Sequence, residues 1–171
     1  DVTTSVTELV RILVPLDGTG ESEAVLPHVV RLAQLSGAEI VLTRVGAAPF
    51  GVAVASSSQA LPDYLERLRE QAEMYLIAVQ KTLPRELKVR CVAETADRAP
   101  QGIMQIAQDN AADLVAMATH GRSGWTRVAI GSVAETVLHK TTTPVLLIKG
   151  TTARTSTTPR SGQSEPAHSG G

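Results

Sequence analysis

Aromatic rings are scarce in this chain. Phe50, Tyr64, Tyr75 and Trp125 make up 2% of its 171 residues, too few for a base-stacking platform. The core must therefore be built from Val, Leu, Ile and Ala. Neither sign of charge is in excess: 16 Lys and Arg stand against 17 Asp and Glu, interspersed, for a net charge of −1. With no basic stripe to neutralise phosphates, nucleic acid is not an expected partner. The single cysteine, Cys91, excludes an intrachain disulfide and a thiolate metal cluster. It falls in an apparent strand, where it reads as a small hydrophobe, and a reducing cytoplasm fits. No apolar run approaches the length needed to cross a membrane. The polar opening stretch, residues 1–8, lacks a signal-peptide core. It begins at Asp1 rather than Met, as after trimming. The four histidines, at 28, 120, 139 and 168, show no ligand spacing, so no metal centre is expected. No nucleophile–base pair or carboxylate dyad is visible, which argues for binding rather than catalysis.

Apolar residues make up 43% of the chain, enough for a sizeable core. Short apolar runs alternate with segments of helical spacing. Strands are expected at 11–16, 39–45, 87–94, 113–118 and 144–149, and helices at 21–35, 62–81, 100–110 and 132–140. Pro27 falls near the first turns of the first helix, where it is tolerated or kinks it. Lys88 and Arg90 alternate along the third strand, as on a sheet edge. This order implies an α/β fold, a mostly parallel sheet with helices on both faces. Residues 46–60 are small and irregular and read as a loop. Residues 1–9 are a polar lead, 10–150 a single domain, and 151–171 a tail too poor in apolar residues to order.

In such sheets ligands sit beyond the carboxyl ends of the strands. Two strand-to-helix turns can be tested for phosphate chemistry. The first, Gly18-Thr19-Gly20-Glu21-Ser22-Glu23, starts like a dinucleotide fingerprint, but Glu23 stands where the third glycine belongs. Asp17, Glu21 and Glu23 would crowd a pyrophosphate with like charge, so a dinucleotide dehydrogenase is not expected. No P-loop pattern occurs. The second turn carries Gly121 close behind its strand and Gly131-Ser132 at the next helix start. Unpaired N–H groups at a helix start attract anions, and glycine lets phosphate oxygens approach. The plainer alternative is that both glycines only make tight turns and Ser132 is an N-cap.

The second turn matches a known pattern. Ala118-Thr119-His120-Gly121, nine residues, then Gly131-Ser132 resembles the nucleotide motif of the universal stress protein family, G-x-x-G, nine residues, G-[ST]. ILVPLDG at 12–18, THGRSG at 119–124 and PVLLIK at 144–149 are similar to the family as well. The resemblance runs over about residues 10–149. One departure is Ala118, which replaces the first motif glycine. The loop 95–99 also lacks the glycine that family members often carry. The resemblance implies a five-stranded Rossmann-like sheet of order 3-2-1-4-5, of the adenine nucleotide alpha hydrolase kind. It implies ATP, with Mg2+ as a companion ion, and a homodimer paired through strand 144–149. By matching position, Pro15, Leu16 and Asp17 would face adenine and ribose, and Val45 would pack on the adenine. Met117, Ala118 and Gly121 would line the sugar and phosphates. Gly131, Ser132, Val133 and Ala134 would hold the phosphates. A dimeric ATP-binding stress-response module is the leading reading. A nucleotide-free interaction protein of the same fold and a slow ATPase or self-phosphorylating enzyme are the alternatives.

Overall fold

The computed structural model describes residues 8–47, 60–119 and 130–149. The sequence expectations for the lead, for the loop after the second strand, for Gly121 and for the tail fall wholly or largely outside those residues. The elements are β1 (Arg11–Pro15), α1 (Gly20–Glu23), α2 (Leu26–Ser36), β2 (Glu39–Ala47), α3 (Ala60–Gln80), β3 (Val89–Ala96), α4 (Ala99–Asp109), β4 (Leu114–Thr119), α5 (Ser132–Lys140) and β5 (Val145–Lys149). The strands form one sheet of order β3-β2-β1-β4-β5. All four pairings are parallel. Strand order thus reverses between β1 and β4, the switch point where α/β sheets open a crevice.

Alternation along the strands sorts the core into two layers. Ile12, Val14, Ile40 and Leu42 face Leu26 and Val29 of α2 and Leu76 and Val79 of α3. Leu13, Val41, Val115 and Met117 face Ile103 and Ile106 of α4 and Ala134 and Val137 of α5. Burying each such side chain contributes about 1.5–3 kcal/mol, and among the partly buried residues packed against the first layer the one ring is that of Tyr75. The amino ends of the strands are tied by charge. Asp113 Oδ2 accepts the N–H groups of Val10 at 2.9 Å and Arg11 at 2.8 Å. Glu39 on β2 pairs with Arg11 of β1 and Arg90 of β3, each at 3.3 Å.

One expectation needs correction. The first helix is not continuous: α1 ends at Glu23 and α2 restarts at Leu26, with Pro27 in its first turn. Proline has no N–H to give to a carbonyl four residues back, and its ring crowds that position. The edge position of β5 is as expected, and its apolar run, Val145 to Ile148, is only partly buried.

Candidate functional site

At the carboxyl ends of the strands lies a cavity of about 140 Å³. Several separate segments wall it. Pro15, Leu16 and Asp17 come from the end of β1, and Val45 from β2. Met117 and Ala118 come from β4, and Gly131, Ser132, Val133 and Ala134 from the start of α5. The structure therefore gathers around one cavity every described residue that the family resemblance assigns to the nucleotide. Ser22, Ala99 and Ile103 complete the wall, and the sequence did not point to them.

The β1 turn is held by its own side chains. Asp17 Oδ1 accepts the N–H of Thr19 at 2.9 Å and its hydroxyl at 2.6 Å. Thr19 in turn caps α1, accepting the Ser22 N–H at 3.2 Å. The Asp17 carboxylate thus shapes the turn as well as facing the cavity, a role the sequence alone left unstated. Beside this turn, the Arg44 guanidinium stacks 4.9 Å from the centre of the Tyr75 ring. The Tyr75 hydroxyl donates to Glu23 Oε1 at 2.7 Å, joining α3 to α1. Burial first, and then the Glu23 carboxylate, push the Tyr75 hydroxyl well above its ordinary pKa, so it remains a donor.

Gly102 sets how closely α4 packs against Val45 beside the cavity. It is buried in α4, and a Cβ there would stand 2.7 Å from Val45 Cγ1 and 3.0 Å from the Ala96 methyl. Only a residue without a side chain lets α4 approach β2 and β3 this closely, bringing Ala99 and Ile103 to the cavity.

The α5 wall corrects one sequence alternative. Gly131, not Ser132, is the N-cap, and no side chain caps the helix. First-turn N–H groups have no intrahelical acceptor, and the residues that carry them here line the cavity. Gly131 has φ −57° and ψ 150°, so it does not make a left-handed turn. Ala118 sits in a strand, and Ala111 is the sole non-glycine residue with positive φ among the described residues. The methyl of Ala118 is therefore unstrained in place of the motif glycine. Among the described residues, no group of three or more His, Cys, Asp or Glu could hold a metal ion. None of their helices is long and apolar enough to cross a membrane.

A sequence profile of the universal stress protein family matches residues 9–149. Universal stress protein MJ0531 of Methanocaldococcus jannaschii is 32% identical over 141 residues, covering 81% of each chain. The solved structure of MJ0577, a universal stress protein of the same archaeon, superposes with a TM-score of 0.62 at 26% identity. That match covers 84% of this chain and 97% of the other. A universal stress protein from Archaeoglobus fulgidus, solved in complex with dAMP, shares the fold at a TM-score of 0.53 and 18% identity. It covers 84% of this chain and 100% of its own.

Proposed function

The chain belongs to the universal stress protein family, and we propose that it is a nucleotide-binding member whose ligand is ATP, held in the cavity at the switch point. The observation that carries this reading is convergence. Four segments far apart in sequence bring the motif positions to one cavity, and an uncapped helix start opens on it. The structural neighbour from Archaeoglobus fulgidus, in complex with dAMP, has an adenine nucleotide as its ligand.

In this reading Pro15, Leu16 and Val45 offer apolar surface to the base, and Asp17 accepts from ribose hydroxyls. The first-turn N–H groups of α5 and the Ser132 hydroxyl donate to phosphate oxygens. Mg2+ usually keeps several waters and would join such a site through the substrate phosphates, leaving Asp17 to the ribose. The chain acts as a dimeric stress-response module, paired through the apolar edge β5. A bare apolar edge invites a two-fold partner.

Calorimetry with ATP and adenosine on the wild type and on Gly131→Val tests the site. The backbone angles at 131 are open to valine, and the comparison is made on mutant protein shown by circular dichroism to be folded. ATP binding is expected to be lost and adenosine binding to change far less. Equal loss for both ligands, or none for either, overturns the phosphate assignment. A wild type that binds neither ligand, and releases none on denaturation as read by mass spectrometry, overturns the nucleotide reading.

A further inference from the structure

Arg44 stands one residue before Val45 and belongs to the opposite face of β2. Alternation along the strand places it with Ile40 and Leu42, on the side that packs against α2 and α3. Its guanidinium stacks on the Tyr75 ring of α3, and that ring is fixed by its hydroxyl to Glu23 of α1. The same guanidinium lies close against the backbone of Gly18. A Cβ built on Gly18 would stand 3.0 Å from Nη1 and 3.2 Å from both Cζ and Nη2. A planar cation on a ring face is already ordered, so it loses little more by holding a neighbour in place.

What it holds is the β1 turn. Gly18 has φ +90°, and a glycine, with its wide backbone freedom, is the point where a turn is easiest to lose. The residue before it, Asp17, holds Thr19 through Oδ1 and lines the candidate site. Asp17, Arg44 and Val45 also line a second cavity, of about 240 Å³, on the α3 side. We propose that Arg44 is a positioning residue for ribose recognition: its stacked guanidinium backs the Gly18 turn and sets the direction in which the Asp17 carboxylate accepts. The inference rests on the nucleotide reading above. A residue that merely tied β2 to α3 would affect stability and every ligand alike. A residue that positions Asp17 affects the ligands that have ribose hydroxyls to offer.

Calorimetry compares ATP with dideoxy-ATP, which lacks both ribose hydroxyls. The wild type is expected to favour ATP by about tenfold, the worth of one hydrogen bond to a carboxylate. In Arg44→Ala that preference is expected to fall below about threefold, with the dideoxy-ATP affinity changed by less than about threefold. Adding Arg44→Ala to Asp17→Ala should then weaken ATP by no more than about twofold further, since the two act through one contact. Arg44→Met, which keeps the apolar stem, is judged by the same ratio should alanine unsettle the fold. A preference kept near tenfold, or equal weakening of both ligands, overturns this inference alone. So does a fully additive loss in the double variant. A wild type that binds both ligands equally overturns the ribose role of Asp17 and this inference with it. A wild type that binds neither overturns the nucleotide reading as well.

Discussion

Replacing Gly102 with alanine sets two effects of opposite sign against each other, and the structure decides between them. Within a helix alanine is favoured over glycine by about 1 kcal/mol. Against this, the new Cβ would stand 2.7 and 3.1 Å from the two Val45 methyls and 3.0 Å from the Ala96 Cβ. Ordinary contact begins near 3.4 Å, so something must move by several tenths of an ångström. Neither neighbour is the loose end of a flexible side chain. Val45 is β-branched with a stiff χ1, and the Ala96 methyl is fixed to the backbone of β3. Overpacking of this kind costs about 1–3 kcal/mol. The net expectation is a loss of up to about 2 kcal/mol, since the propensity gain offsets about 1 kcal/mol of the strain. Urea denaturation should show a lower midpoint with an unchanged slope. Val45, Ala99 and Ile103 all line the cavity, so nucleotide affinity should fall with stability. Gly20→Ala is the control: nothing lies within 4 Å of a Cβ there, and neither quantity should drop. A Gly102→Ala protein more stable than the wild type, with affinity unchanged, would refute the claim that close approach of α4 to Val45 shapes the cavity.

Three further substitutions probe other parts of the molecule. The hydrogen bond from Arg90, then the lesser contributions of its charge and of Arg11, hold the Glu39 carboxyl below its ordinary value of 4.5. Its stabilisation is therefore full above that value and lost as pH falls through the lowered one. Glu39→Gln should cost up to about 1 kcal/mol at neutral pH, given a partly exposed pair, and the difference from wild type should close in acid; a gap that persists in acid rules out the ion pairs. Asp17→Ala should weaken ATP and adenosine alike by about tenfold, because ribose is common to both, while circular dichroism stays unchanged; a selective effect on ATP would move Asp17 to the phosphates. Leu147→Lys on β5 should give monomer or aggregate in sedimentation, and an unaltered dimer would place the contact on another surface.

Much of the fold was readable because β1, β4 and β5 are plain apolar runs and the helices keep a regular apolar spacing. What escaped has local physical causes. β2 and β3 each extend two residues beyond the expected end, through Val45 pairing Glu94, Gly46 pairing Thr95 and Ala47 pairing Ala96. Small and polar residues carry no strand signal; here each end is held by the backbone of the other. Ser22, Ala99 and Ile103 were missed for a related reason. No motif marks them, and they reach the cavity only because strand order sets the start of α1 and α4 around the same opening. Any helix that follows a strand of a parallel sheet begins at this end, so the turn after β3 could have been included on topology alone.

Gly131 shows how backbone angles separate two explanations of a glycine. As a tight turn, it would need a φ that other residues resist, as Gly37 does at +75° where it ends α2. At φ −57° and ψ 150° any residue is comfortable, so conformation does not require glycine at 131. Capping does not require it either, since Ser, Thr, Asp or Asn would cap α5 better. Gly131 lines the cavity, so on the nucleotide reading what glycine would supply there is room for the ligand. Ala118 fits the same argument from the other side. Its strand conformation carries no positive φ, and a methyl is the smallest addition to the wall. On the nucleotide reading, the two motif positions are then constrained by the room they leave and not by the bend they make. A larger side chain at either should therefore cost ligand affinity before it costs stability.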